Sequence, residues 1–523
     1  MLNILVPGTL LTLISVVYLF GVAPDMTWMG LAGDSPDYVT SSMLFEKAGL
    51  GGYPLFITIG WIFQQVFHYG FGLNPYWVLG LVSAISTVIA CGFIYATVRL
   101  FSTESRLPAC LGMLAFAGSL LVWSQSVIPE VYTMTAMFMV AGVYYFIKAY
   151  KQERPRLLFV SSIVFGFSLG THPLVMFAIL PCLFYLFKVP LENKPNPFLV
   201  IGVGLVGLVG WTQWVIGTEN AFYPGLGNDR MVFLLGSAGM IGNLTVYPTQ
   251  FLQYRLVDSF SVIGLSICIL VPFYILGIRS GYKEDKTLVQ LLIILSIIPA
   301  VFYFTSRPPQ WITYAVPSVA FLSILGGVCA TYYLNKYSFK PSLVIASVCG
   351  LGLLGLNIYS YDIGRSVDPT PTTMRQAYSQ FNSFPPDSIL YTHTWGHIDV
   401  LINSYHRLEK GKPGYNNLVH VHELRHTFRQ PNMQNSTVVV PSYSLGFVEI
   451  NQIDSPTLEK FTKFFEDDIN LITEMNPGRE VYVAYLKDRS TVQFDFIPAS
   501  DYNHRLNDVP QLTETPSGRV RVQ

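Results

Sequence analysis

Eleven stretches of the chain are apolar for long enough to cross a bilayer as helices. They lie at about 4–23, 75–98, 107–127, 131–149, 157–171, 174–187, 197–217, 257–278, 287–305, 311–334 and 341–359. About 30 Å of hydrocarbon takes roughly 20 helical residues. The fifth and sixth stretches are short and are divided only by His172-Pro173, where a re-entrant pair would fit. One further apolar run, Tyr53 to Phe67, is shorter and is bounded by Gly51-Gly52 and by Gly70-Phe71-Gly72. It reads as a helix lying along the outer interface, with Trp61 and Tyr69 at headgroup depth. The first outer loop, residues 24–74, is then long, as functional loops often are.

Beyond residue 359 the pattern changes. Short strand-like runs occur at Ser388–His393, Thr437–Tyr443, Val481–Leu486 and Val492–Ile497. Helix-like stretches lie at Thr373–Phe384, Ile398–Lys410 and Pro456–Met475. The expected architecture is a polytopic α-helical membrane domain over 1–359, with a soluble α/β or α+β domain over 360–523.

Charge follows the same division. The whole chain is 12% charged, against about 25% for a soluble protein. Residues 1–359 hold 30 of the charged side chains and residues 360–523 hold 34. That asymmetry excludes a single water-soluble enzyme or a disordered chain. With the N-terminus inside, 13 Lys and Arg of the first 359 residues fall in cytoplasmic loops and four (Lys47, Arg230, Arg255 and Arg307) fall outside. Such a bias fixes orientation, placing residues 360–523 outside the cytoplasm. Residues 1–23 lack a basic start and a small-residue cleavage site, and read as a retained span. A prokaryotic plasma membrane is the expected location. Net charge is zero, so no global field recruits nucleic acid. The six cysteines all fall in apolar runs and offer neither a disulfide scaffold nor zinc-site spacing.

Three outer-side acidic residues stand in suggestive settings. Asp34 and Asp37 occur in Gly33-Asp34-Ser35-Pro36-Asp37-Tyr38, one helical turn apart. Adjacent carboxylates raise one another's pKa, which suits a general base; the plainer reading is a helix cap before proline. Glu130, in Pro129-Glu130-Val131-Tyr132, is either ordinary helix-start chemistry or a carboxylate held between apolar spans for use. His172, in Gly166-Phe167-Ser168-Leu169-Gly170-Thr171-His172-Pro173, is either a structural interface residue or a contact for an anion. Arg307, before Pro308-Pro309, is a second phosphate candidate; Arg230 and Arg255 are weaker ones. His393, His397, His420, His422 and His426 include pairs at metal-ligand spacing. His393 closes a strand and His397 starts a helix, so no metal is predicted. Asn243-Leu244-Thr245 and Asn435-Ser436-Thr437 are outer-side glycosylation sequons.

The order of these pieces resembles the C-type membrane glycosyltransferases, in particular the protein O-mannosyltransferase-like family with a Gly-Asp-Ser-Gly-Glu motif in its first outer loop. That motif is similar to Gly33-Asp34-Ser35-Pro36-Asp37-Tyr38, and the family's Pro-Gly-Tyr-Pro segment to Gly51-Gly52-Tyr53-Pro54-Leu55-Phe56. Trp123-Ser124 with Pro129-Glu130-Val131-Tyr132 resembles a later Trp-Ser and Ala-Glu-Val-Tyr pattern. The segment ending at His172 resembles Gly-Leu-Ser-Leu-Gly-Asn-His. Two departures concern Asp37, where the family has Glu, and Ala48-Gly49-Leu50, where it has His-Pro-Pro.

The resemblance implies an inverting transferase. It would move a sugar, mannose being one candidate, from a polyprenyl-phosphate carrier to a protein, lipid or glycan hydroxyl outside the membrane. Asp34 would be the base, with Asp37 and Glu130 orienting acceptor or sugar. His172, Arg307 and Arg230 would hold the phosphate, with Tyr38 and Tyr132 beside the substrate, and no cofactor is expected. A transporter or flippase of lipid-linked sugars is the alternative; it requires mid-membrane charges and pseudo-symmetric halves, and neither is evident. A non-catalytic scaffold would tolerate loss of Asp34 and Glu130.

Overall fold

The computed structural model describes residues 2–24, 34–48, 52–101, 105–188, 194–217, 267–305 and 313–337. Beyond residue 350 it describes 352, 355, 378–382, 384, 388–393, 418–420, 437–441, 469–474, 476–488, 493–501, 512–514 and 520–522. Arg230, Arg255, Arg307, both sequons, the Ile398–Lys410 stretch and the span expected at 341–359 lie outside the described residues, apart from 352 and 355 of that span and Thr437 of the second sequon.

Three of the first four helices begin at or next to a proline. α1 is Leu2–Gly21, α2 Ser35–Leu44, α3 Pro54–Phe63 and α4 Pro75–Arg99. Proline suits a first helical turn because that turn's N–H has no intrahelical acceptor. At α4 the Asn74 side chain also accepts from the amides of Tyr76 (2.8 Å) and Trp77 (3.4 Å). α3 continues as a π-helical turn, Gln64–Tyr69. The Tyr53–Phe67 run is thus helical as expected: Pro54, Phe56, Ile57 and Gly60 are buried, while Ile62, Val66 and Tyr69 are exposed.

The run expected as a third span is not one straight helix. α5 (Leu107–Ala117) and α6 (Leu120–Ser126) meet at a bend of 64°. Gly118 ends the first helix, and Ser119 caps the second by accepting from the Val122 amide at 3.3 Å. Glycine followed by serine is a stop and a start placed together. α7 is Tyr132–Lys151, α8 Leu157–Ser168, α9 Met176–Lys188 and α10 Pro197–Gly217. α11 is Val271–Glu284, α12 Lys286–Thr305 and α13 Val316–Tyr337. Among the described residues, Pro75–Arg99 and Thr313–Leu334 are long and apolar enough to cross a membrane, and the bent pair together is a third candidate. Five shorter apolar helices accompany them.

Close helix contacts rest on glycine. A Cβ at Gly166 of α8 would stand 2.6 Å from the Gly204 carbonyl of α10, and one at Gly112 of α5 would stand 2.7 Å from the Ser323 carbonyl of α13. Small residues let backbones approach where apolar solvent supplies little drive for association.

The two ends of the bundle differ. At one end Lys151 of α7 pairs with Asp285, between α11 and α12, and its ammonium lies 4.5 Å from the Phe101 ring. At the other end, the Ala23 amide donates to the Val127 carbonyl (2.7 Å) and the Leu55 amide to the Gly170 carbonyl (2.8 Å). α7 runs between these ends, and 20 residues at 1.5 Å per residue span about 30 Å.

In the C-terminal third, β1 (Ile389–His393), β2 (Leu418–His420), β3 (Thr437–Pro441), β4 (Val481–Asp488) and β5 (Gln493–Pro498) form one sheet ordered β2-β3-β1-β4-β5. The first three pairings are parallel, and β5 runs antiparallel to β4. Ile389, Leu390 and Tyr391 are consecutive and fully buried, as a central parallel strand covered on both faces requires. β6 (Leu512–Glu514) and β7 (Val520–Val522) form a separate hairpin pair. The sequence pattern places no strand at β2, β6 or β7, since three residues are too few to show alternation.

Candidate functional site

Three separate segments meet at the end of the bundle away from Lys151. The Ser35 hydroxyl donates to the Pro129 carbonyl at 2.8 Å, fixing the start of α2 beside Glu130. The Leu55–Gly170 hydrogen bond fixes the start of α3 beside His172. A Cβ at Gly170 would lie 2.7 Å from the Trp211 ring and 2.9 Å from the Leu55 Cβ, so only glycine lets this turn close.

Asp34 occupies the N-cap position of α2, yet its side chain makes no capping hydrogen bond. Its carboxylate instead accepts from the Tyr38 hydroxyl. The residue as a whole is exposed, while its carboxylate lies against the Tyr38 hydroxyl and near Asp37. Loss of hydration, followed by the charge of Asp37, pushes its pKa up to about 6. Asp37 is buried and accepts from the Ser41 hydroxyl at 3.3 Å, within its own helix.

Glu130 is only 2% exposed. Its backbone is locked by Ser83 of α4, whose hydroxyl accepts from the Glu130 amide (3.0 Å) and donates to its carbonyl (2.9 Å). The Val131 amide donates to its carboxyl group, while Oε2 has no hydrogen-bond partner. Burial, then the neighbouring Asp34, raises the Glu130 pKa well above the usual range. Ser83→Ala would strand two buried backbone groups, each costing roughly 1–3 kcal/mol. The expected outcome is a melting temperature lowered in detergent with Glu130 displaced; an unchanged melt would show that the Ser83 bridge does not hold this segment.

His172 is 5% exposed and caps the short turn Pro173–Val175, its Nδ1 accepting from the Leu174 amide at 3.1 Å. That bond assigns the proton to Nε2. Burial lowers its pKa to about 3, so the ring is neutral and serves as an N–H donor rather than a cation. Its ring stacks on Tyr53 at 5.6 Å and contacts Tyr132 at 5.5 Å and Tyr314 at 5.6 Å. Tyr38 meets Tyr53 edge-on at 5.4 Å. Tyr53 has a φ of 44°, a left-handed conformation that costs a side-chain-bearing residue about 1–2 kcal/mol. Backbone strain of this kind collects where a side chain must be aimed.

Six of the sequence-predicted site residues (Asp34, Asp37, Tyr38, Glu130, Tyr132 and His172) therefore converge, and Arg230 and Arg307 lie outside the described residues. Two residues the sequence does not single out, Tyr53 and Tyr314, join them. Tyr53 lies at the start of an apolar helical run, which hides its part in the cluster. Tyr314 carries no local signal, and the turn before α13 brings it in from 142 positions beyond His172. Among the described residues, no group of three or more His, Cys, Asp or Glu side chains is placed to hold a metal ion.

This helical framework is shared with known proteins. Over 99% of the chain, it matches ArnT from Cupriavidus metallidurans, solved with undecaprenyl phosphate, at a TM-score of 0.50 and 11% identity, covering 97% of that chain. The fold is that of the C-type membrane glycosyltransferases. The Archaeoglobus fulgidus oligosaccharyltransferase tethered to an acceptor peptide matches over 91% of this chain and 68% of its own, at a TM-score of 0.50 and 12% identity. In sequence, residues 34–195 match the profile described as "Protein O-mannosyl-transferase TMEM260 N-terminal domain". A protein O-mannosyl-transferase tmem260 of Dictyostelium discoideum is 27% identical over 167 residues, 29% of this chain. The match spans only 20% of that relative's length. The profile begins at Asp34 and includes Glu130 and His172.

Proposed function

We propose that the protein is an inverting glycosyltransferase that moves a sugar, mannose being the leading candidate, from a polyprenyl-phosphate carrier to a hydroxyl acceptor outside the cytoplasm. The observation that carries this reading is the meeting of Asp34, Glu130 and His172, from three loops, at one end of a membrane-transferase fold. A lipid-linked sugar has its reacting carbon at headgroup depth, and these loops join helix ends. Residues 1–359 form the transferase domain in this reading, and 360–523 an outer domain.

In the reaction, the acceptor oxygen attacks the anomeric carbon as Asp34 takes its proton. The carbon–phosphate oxygen bond breaks on the opposite face, so configuration inverts. The phosphate leaves onto hydrogen-bond donors: the neutral His172 N–H, with Arg307 and Arg230 as the charged candidates. The exposed apolar side of α3 would face the lipid. The Lys151–Asp285 pair supports the orientation, because it joins two loops assigned to the cytoplasmic side by charge, about 30 Å from the site.

The buried carboxylates among the described residues, Asp37 and Glu130, stand at helix starts rather than at mid-span, which favours transfer over transport. The test is transfer by purified protein from radiolabelled polyprenyl-phosphate sugars to a cell-envelope extract, with the product anomer read by NMR. Product of inverted configuration is the expected result. Saturable donor binding without transfer would assign the fold to lipid-linked sugar movement instead.

A further inference from the structure

Glu130 is the most buried carboxyl group among the described residues of the site and the one whose protonation matters most. Its Oε2 is buried without a partner, although the backbone around it is held on both sides by Ser83. A native protein leaves a buried polar atom unpaired where a ligand supplies the partner, and such exceptions call for an explanation. The titratable groups acting on it from the surrounding elements are Asp34 and Tyr38 at the start of α2, Tyr53 before α3, Tyr132 on α7 and Tyr314 before α13. These are one carboxylate and four phenols, so the group faces acidic neighbours and apolar ring surface. Such surroundings disfavour a second negative charge beside Asp34.

We propose that Glu130 works as an uncharged carboxylic acid whose Oε2–H donates a hydrogen bond to a hydroxyl oxygen of the donor sugar. The inference rests on the transferase reading and deepens it by placing a sugar-recognition contact. Geometry selects the sugar over the other candidates. In an in-line displacement the leaving phosphate lies opposite the base, and Glu130 stands on the side of the base. The acceptor oxygen must use its lone pair to attack, so a donor aimed at it would blunt the reaction. A sugar hydroxyl remains, accepting from Glu130 while the tyrosine rings wall its apolar C–H face. The arrangement separates two neighbouring carboxyl groups into a base and a neutral donor by environment.

The experiment compares Glu130→Gln with Glu130→Ala, using the lipid donor that supports transfer and its singly deoxygenated analogues. A carboxamide is neutral, nearly isosteric and an N–H donor. Transfer by E130Q is expected to fall by no more than about tenfold, and by E130A about 100-fold or more, the range for losing one buried donor to a reacting substrate. Wild-type activity is expected to decline as rising pH ionises Glu130, at a pH well above the usual carboxylate range, and E130Q to lack that decline. One deoxygenated donor should erase the difference between wild type and E130A, as a shared contact requires. In the ligand-free protein, infrared difference spectra should show the carbonyl stretch of a protonated carboxylic acid that disappears in E130Q. Absence of that band overturns the inference whatever the activity. An active wild type with E130Q as impaired as E130A also overturns it, because an ionised carboxylate is then required. A wild type inert on every donor overturns the transferase reading on which it rests.

Discussion

Asp34→Asn abolishes transfer, with a loss of about 10²–10⁴-fold, the contribution of a positioned general base, while binding of the lipid donor persists. Asparagine is as good a helix N-cap as aspartate, so α2 keeps its start and the melting temperature stays in place. The Asp34 side chain makes no capping bond in any case, and what the substitution removes is the proton acceptor. The pH profile gives a second readout. A base must be ionised to act, and the Asp34 pKa is raised to about 6. Activity is therefore expected to rise with pH through about 6 and to be lost as pH falls below it. Radiolabel transfer measured across pH for both proteins checks this. Transfer surviving in Asp34→Asn would assign the proton to another group, with Asp37 the nearest alternative.

Gly277→Leu gives the second large effect, and it falls on folding rather than chemistry. A Cβ at Gly277 of α11 would overlap the Cys329 carbonyl oxygen of α13. That oxygen belongs to a buried helix backbone and cannot swing aside as a side-chain tip could. Inserting a side chain forces the helices apart, at a cost at or above the usual ~1–3 kcal/mol of overpacking. α13 follows directly on Thr313 and Tyr314, so the separation reaches the tyrosine wall around His172 as well. The expected outcome is loss of the monodisperse peak in size-exclusion chromatography, or a melting temperature lowered by several degrees. A monodisperse, equally stable Gly277→Leu protein would show that the α11–α13 seam is looser than this contact.

Much of the site was legible because its residues lie in short motifs. Proline after a polar residue placed the starts of α2, α3 and the turn after His172, and the residues at those starts are the ones the structure brings together. The choice between cap and base at Asp34 was not legible, since both uses want the same residue before the same proline. Only the side-chain direction separates them. The motif around His172 leaves both a structural interface residue and an anion contact open, and says nothing of the ring's charge. Its enclosure by three tyrosines, two of them distant in sequence, decides that it is a neutral donor.

The sequence by itself determined the division of the chain into an apolar first part and a polar last third, the helical nature of the Tyr53–Phe67 run and the positions of most strands. These follow from local hydrophobic period and local caps, which a chain carries whatever its neighbours do. The tertiary structure decided the bend between α5 and α6, the gathering of Tyr53, Tyr132 and Tyr314 around one ring, and the unpaired oxygen of Glu130. Each depends on which helices touch, and a protonation state depends on everything within a few ångströms, regardless of how far along the chain it lies.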